Sequence, residues 1–402
     1  MDMTQDKEKT AIYNFDTVID RKGTKSLKYD FALERGKRED VLPMWVADMD
    51  FPTAPEVLEA LERTVRHGIF GYSEGKEDYF RAVAGWYQEQ FGWEVRPEWL
   101  IKTPGVVFAI AAAIRALTKE GDGVLIQQPV YYPFSEVITD NGRKLVNSPL
   151  RLVNGRYEMD FDDFEKKIRE QGVKLFLLCS PHNPVGRVWE EWELRRAGEI
   201  CLNYGVQIIA DEIHSDFTYQ GHKHHVFASL DPRFAKESIT CTAPTKTFNL
   251  AGLQVSNIFI PNPEICLKVK KEIAAAGYSQ LGIMGLTACQ AAYESGGGWL
   301  RELKEYLTEN LRFTREFLKE RIPQLTLIEP EGTYLVWIDF RGLALTEEQR
   351  EDLIVNHARL WLDSGAMFGS DGEGFERFNI ACPRQTLRQA LEQLEAAIYN
   401  RV

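Results

Sequence analysis

The chain has 402 residues, 44% apolar and 27% charged, which is the composition of an ordinary folded protein and too long for one simple core. A formal net charge of −12 opposes nucleic acid and anionic membrane surfaces as partners. No apolar run approaches the ~18 residues of a membrane span, and the polar start MDMTQDKEKT lacks a signal peptide's apolar stretch, so a cytoplasmic protein is expected. Residues 1 to about 30 are charged and aperiodic and read as an N-terminal arm. Residues 41–50 form an apolar segment that ends in acids. Apolar residues at 57, 58, 61 and 65 predict a helix over 56–68, with Pro55 suited to its first turn and Gly68 to its stop. A second helix is predicted over 108–117, after the turn Thr103-Pro104-Gly105. Strands are predicted at 124–127, 174–179, 206–210, 238–242 and 255–260, with a helix over 189–204. Strands alternating with helices imply an α/β fold with a mostly parallel sheet and right-handed crossovers. Two long helices follow, over 263–294 and 299–321, separated by Ser295-Gly296-Gly297-Gly298. A domain boundary is expected near these glycines. Strands at 325–328 and 333–340 and helices at 346–364 and 385–400 then predict a smaller α/β C-terminal domain. The expected division is an arm plus part of the small domain over 1–50, a large domain over 51–295 and the small domain over 296–402.

The six cysteines form no C-x-x-C pair and mostly sit in apolar runs, so they read as reduced, buried thiols. His222, His224 and His225 lie in a polar stretch with no Cys or carboxylate following at ligand spacing. They read as a solvated turn rather than a metal site.

Two strand ends carry the chemistry. Lys246 lies in APTKTFNLAGL (243–253), on a loop just past the β-branched strand at 238–242. Neighbours there can strip water from the amine, and desolvation favours the neutral, nucleophilic form. Upstream, the apolar strand VQIIA (206–210) runs into Asp211 and Glu212. Buried parallel strands read as such continuous runs, and ligands bind beyond their carboxyl ends. An acid at one strand end and a lysine at another suit pyridoxal phosphate: the lysine forms the Schiff base and the acid keeps the pyridinium nitrogen protonated.

The chain resembles the fold-type I pyridoxal-phosphate enzymes of the aminotransferase superfamily, and within them the MalY/PatB-type cystathionine β-lyases, or C–S lyases. The resemblance spans nearly the whole chain. It rests on PMWVADMDF (43–51), GY (71–72), TPGVV (103–107), PVY (129–131), SPHNPVG (180–186), DEIH (211–214), TKTFNLAGL (245–253) and NIACPR (379–384), all in order. It implies a large domain holding pyridoxal 5'-phosphate and a homodimer with shared sites.

Roles follow from that resemblance. The amides of Val106 and Val107 contact the cofactor phosphate, at a helix start whose unpaired N–H groups favour an anion. Thr245 adds a hydroxyl. Tyr72 reaches the phosphate from the other subunit. Tyr131 stacks on the ring, and Asn183 donates to its phenolate oxygen. Asp211 pairs with the ring nitrogen, and His214 orients that carboxylate. Arg384 holds the substrate carboxylate with a bidentate fork. Trp45 and Ala47 line the substrate side. The chain departs from many relatives by having Ala243 three residues before the lysine, where they have Ser, and Gln254 eight after, where they have Arg. That weakens a generic aminotransferase reading and fits the lyase subgroup. Two reactions remain open: a carbon–sulfur β-lyase with Lys246 as general base, or an aminotransferase sharing the same first steps. The intact Lys246, Asp211 and Arg384 set argues against a pure binding module.

Overall fold

A computed structural model describes residues 13–400, so residues 1–12 of the expected arm lie outside the described residues. A seven-stranded sheet runs through the larger part of the molecule. Its spatial order is Leu100–Thr103, Ser256–Phe259, Ser238–Thr242, Gln207–Asp211, Val173–Cys179, Gly123–Ile126, Lys144–Asn147. Ser256–Phe259 runs antiparallel to both neighbours and the remaining pairs are parallel.

Alternation along each strand divides the core. Leu175, Leu177, Cys179, Ile209, Ile239 and Cys241 pack under the helices Val106–Leu117 and Pro263–Ala275. Phe176, Leu178, Ile208 and Ala210 pack under Phe161–Glu170 and Glu191–Tyr204. Both faces are covered, which is why these strands read as continuous apolar runs. With a period of two, Asp211 continues the row of Ile209 and points to the face of Val106–Leu117. Glu212 follows on the other side. It accepts hydrogen bonds from the Phe227 amide (2.8 Å) and sits 3.0 Å from His224 Nε2. His224 is therefore buried against a carboxylate, not part of a solvated turn as the sequence suggested. All six cysteines are free and buried.

A second sheet of four strands, Thr326–Ile328, Leu335–Asp339, Phe375–Asn379 and Asp363–Ser364 in that order, is antiparallel throughout. The segment 42–50 is laced to it. Leu42–Pro43 pairs with Leu360–Trp361, the Asn379 amide donates to Met44 O (2.9 Å), and the Asp50 amide donates to Ala381 O (2.9 Å).

The structure departs from the sequence reading in several elements. The helix expected over 263–294 is two, Pro263–Ala275 and Ile283–Ser295, because Gly277 turns left-handed at φ 74°. The next helix starts earlier, at Gly297–Arg321, so the glycines are a packed corner and not an open linker. A Cβ on Gly296 would collide with the Phe248 ring and the Ala292 carbonyl. The helix expected over 346–364 ends at His357, in a π-helical turn Leu353–His357 after Glu347–Asp352. Arg359 then takes φ 53° and the chain becomes extended. The helix Glu77–Phe91 and the strands Leu100–Thr103, Lys144–Asn147 and Phe375–Asn379 carried too little periodicity to be predicted. Among the described residues, no helix is long and apolar enough to cross a membrane.

Candidate active site

The site lies where the parallel strands end. Register pairs Cys179 with Asp211 and Asp211 with Cys241, so the segments beginning at 180, 212 and 242 leave the sheet at one level. Asn183, Asp211 and Lys246 are thereby brought together from three strands.

Lys246 sits on a one-turn helix, Pro244–Thr247, just past its strand. Its Nζ donates to Ala47 O at 2.7 Å. Burial lowers its pKa to about 8; Arg377 pushes the same way, while Asp48 and Asp211 oppose. The shift brings the amine far closer to its neutral, nucleophilic form than an ordinary lysine, although it is still mostly protonated at pH 7.

Asp211 is the complementary group. Burial raises its pKa to about 7, against the Ile213 amide that donates to Oδ1 at 3.1 Å and against the Lys246 charge. The sequence reading placed His214 on this carboxylate. Instead, no hydrogen bond joins them: the His214 ring packs edge-on against Tyr334 (6.0 Å), and its buried Nδ1 has no partner. Burial, with Lys246 and Arg377 nearby, holds that imidazole well below its usual pKa, so it is neutral.

Arg377 is the residue the sequence reading missed. It is buried on the strand Phe375–Asn379. Its Nη1 donates to Asn183 Oδ1 (3.0 Å), its Nη2 donates to Trp45 O (3.1 Å), and it forms an ion pair with Asp363. Its guanidinium lies 4.9 Å over the Phe368 ring, and its buried Nε has no partner. The only sequence signal is a lone arginine two residues before NIACPR.

Arg384, to which the resemblance gave the carboxylate, is turned elsewhere. Its Nε donates to Asn310 Oδ1 (2.7 Å), its amide donates to Tyr306 Oη (2.7 Å), and its guanidinium lies 4.9 Å over Phe313. All three partners belong to the helix Gly297–Arg321. Arg384 is the first residue of the helix Arg384–Tyr399, and that helix start turns its side chain toward Gly297–Arg321.

Of the remaining candidates, Ala47 bonds Lys246 directly and Thr245 is its chain neighbour. Trp45 stacks on Trp361 (4.3 Å, 11°) and contributes its carbonyl to Arg377. Ala47 O accepts from both Lys246 and Tyr334 Oη (3.1 Å). The Tyr131 amide donates to Asn183 O (3.0 Å), and burial pushes its phenol up. Val106 and Val107 open the helix Val106–Leu117 after the extended Gly105, where a Cβ would meet only open space. Thr245 is half-buried beside Lys246. Tyr72 does not join the site within one chain: it is 100% exposed, beside exposed Ile69 and Phe70.

A low-pKa lysine, a carboxylate with an open oxygen and a helix N-terminus at the edge of the large sheet, with a guanidinium brought in from the small sheet, define an enzyme centre of the kind that activates amino acids. The chain belongs to the Aminotransferase class I and II family, which it matches over residues 39–394. It is 42% identical over 385 residues, 96% of this chain and 100% of the relative, to the cystathionine β-lyase PatB of Bacillus subtilis (strain 168). Among solved structures it resembles cystalysin from Treponema denticola, which contains pyridoxal 5'-phosphate: TM-score 0.94, 38% identity, coverage 97% of this chain and 99% of that one. It also resembles the pyridoxal-phosphate-bound C–S lyase of Staphylococcus hominis: TM-score 0.90, 33% identity, coverage 96% and 98%.

Proposed function

We propose that this protein is a pyridoxal-phosphate-dependent carbon–sulfur β-lyase that cleaves L-cystathionine or a related cysteine S-conjugate to a thiol, pyruvate and ammonia. The observation that carries it is the placement of the Lys246 amine, donating to Ala47 O at 2.7 Å, on the turn just past a strand whose parallel neighbour ends at Asp211. The names of its relatives supply the reaction class.

The residues fit the cofactor. Asp211 keeps one oxygen free of protein donors for a protonated ring nitrogen. The Val106 and Val107 amides open a twelve-residue helix beside unfilled space at Gly105, which suits a phosphate. Thr245 adds a hydroxyl there. Tyr131 would stack on the ring, Asn183 would donate its amide to the ring oxygen, His214 packs as a neutral neighbour, and Lys246 would hold the group through its amine. When bound, pyridoxal phosphate supplies the electron sink for charge developing at the substrate Cα.

This chain's residues do the rest. Arg377 pairs with the substrate carboxylate through its spare donor, taking the role the sequence reading gave Arg384. Trp45 and Ala47 close the substrate side. Lys246 Nζ removes the Cα proton and then returns a proton to the departing sulfur as the Cβ–S bond breaks. Water completes release of pyruvate and ammonia. Tyr72 reaches the phosphate of a second copy, so the enzyme is a homodimer with shared sites, and it acts in the cytoplasm. The same reading divides the chain into 1–50, 51–295 and 296–402, as expected above.

Stoichiometric pyruvate, ammonia and thiol are expected from L-cystathionine or a related conjugate. Amino transfer from alanine, aspartate or an aromatic amino acid to 2-oxoglutarate should be slower by ~100-fold, about 2.7 kcal/mol in barrier. Fast transamination with no thiol release would make this an aminotransferase instead.

A further inference from the structure

The loop that follows Asp211 is bonded to the turn that carries Lys246. The bond runs through Asp216, a buried carboxylate that neither the sequence reading nor the reaction uses. Its Oδ2 accepts from Thr247 Oγ1 at 2.6 Å and its Oδ1 accepts from Trp86 Nε1 at 3.2 Å. Thr247 is the last residue of the helix Pro244–Thr247 and the covalent neighbour of Lys246. A single helical turn has no adjacent turns to stabilise it, so side-chain contacts must hold it in place.

Trp86 is a rigid anchor. It stacks on Tyr293 (5.2 Å, 19°) and meets the Phe248 ring edge-on (5.4 Å). Asp216 thus joins three elements: the loop after the Asp211 strand, the Lys246 turn and the helix Glu77–Phe91. No salt bridge to Asp216 occurs among the described residues; Lys304 acts on it only through space. A buried carboxylate is costly, and if packing alone were needed an apolar side chain would do as well. What the carboxylate adds is a short hydrogen bond at a fixed point.

We propose that Asp216 is a positioning residue: through Thr247 it fixes the Lys246 turn against the Asp211 loop and so sets the separation of the two groups that hold the cofactor. This rests on the roles given above to Lys246 and Asp211. The sequence spacing is consistent with that purpose, since Asp216 lies on the loop that leaves the strand ending at Asp211, and Lys246 and Thr247 share one turn.

The test uses Thr247→Val, nearly isosteric but unable to donate, with Thr247→Ser as the rescue and Asp216→Asn as a second lesion. Two readouts are taken. One is turnover of L-cystathionine by the holoenzyme. The other is the rate at which formaldehyde and borohydride methylate Lys246 in cofactor-stripped protein, followed by peptide mass spectrometry. A misplacement of a fraction of an ångström should cut kcat by ~10- to 100-fold in Thr247→Val and Asp216→Asn with KM changed less than about threefold. The Lys246 methylation rate should shift with it, and Thr247→Ser should restore both to within about threefold of the parent. Wild-type kcat and Lys246 reactivity in both Thr247→Val and Asp216→Asn would overturn the proposal. So would equal losses in Thr247→Ser and Thr247→Val, which would mark a mere packing defect. Borohydride reduction of the wild-type holoenzyme separates this from the underlying reading: a cofactor label on a lysine other than Lys246 would sink that reading first.

Discussion

The carboxyl edge of the seven-stranded sheet and the four-stranded antiparallel sheet contribute to the site in different ways. On the large sheet, each group lies within a few residues of the end of its own strand: Val106 after Thr103, Tyr131 after Ile126, Asn183 after Cys179, Lys246 after Thr242. The small sheet delivers Arg377 from inside a strand, and the segment 42–50 laced to it delivers two backbone carbonyls, those of Trp45 and Ala47. In the proposed reading, the large sheet positions the cofactor groups by topology, and the small sheet and its lacing close the substrate side by long-range packing. One consequence is that two arginines only seven residues apart have unrelated partners. Arg377 faces Asn183 and Asp363, and Arg384 faces Asn310.

The sharpest break of that comparison is at its centre. Lys246→Ala should lower turnover by at least ~10³-fold, since it removes the base and the cofactor's attachment together. Borohydride reduction of the parent and peptide mapping should place the label on Lys246.

The two arginines come next. Arg377→Lys should reduce kcat/KM by ~10²- to 10³-fold, about 3–4 kcal/mol, because an ammonium cannot serve Asn183, Asp363 and a substrate carboxylate together. Arg384→Gln should leave kcat/KM within about fivefold and lower Tm by about 1–4 °C through the hydrogen bond lost at buried Asn310. Steady-state kinetics and thermal melts on both variants decide it. The reverse pattern would return the carboxylate to Arg384.

On the large-sheet side, Asp211→Asn should retain cofactor yet lose about 100-fold in kcat, as a neutral amide cannot hold the ring proton. Near-parent turnover with cofactor bound would show that another group pairs with the ring.

Tyr72 extends the comparison to a second copy. Tyr72→Phe should cost ~10-fold, one hydrogen bond to a phosphate. Mixed with Lys246→Ala chains, it should form heterodimers with one intact and one doubly damaged site. Each heterodimer should then be about fivefold as active as the Tyr72→Phe dimer, and a random 1:1 mixture about threefold, since half the sites in each heterodimer are whole. No recovery, with heterodimers confirmed by native mass spectrometry, would mean that each site is built from one chain.

The smallest effect is on stability. The folded pKa of Lys246 is depressed from 10.5 to about 8, so between those values the unfolded chain binds more protons. In cofactor-free protein this makes stability rise with pH across that window, and the penalty for burying the charge is greatest below about 8. Lys246→Met should therefore raise the melting temperature of cofactor-free protein at pH 7, and the gain should fade as pH approaches 10.5. A gain independent of pH would trace to packing alone.

Much of this was legible in the sequence. Apolar runs ending in Asp211, or followed closely by Lys246, announce buried parallel strands, and the spacing of residues along a strand end is a local property. The shape of the large sheet and the assembly of Val106, Tyr131, Asn183, Asp211 and Lys246 at its edge follow from strand order and pleat. Other features were decided only in three dimensions. His214 and Asp211 are three residues apart, yet the turn between them sends the imidazole to Tyr334. Arg377 and Arg384 look alike in one dimension. Which one faces Asn183 and Trp45 depends on the pairing of Phe375–Asn379 with Leu335–Asp339 and on the helix that begins at Arg384. The Ala47 carbonyl that holds Lys246 and the Asp216 bond to Thr247 join residues about 200 and 30 positions apart. Such contacts have no local signature, because backbone carbonyls are identical at every position and only packing selects the one that is used.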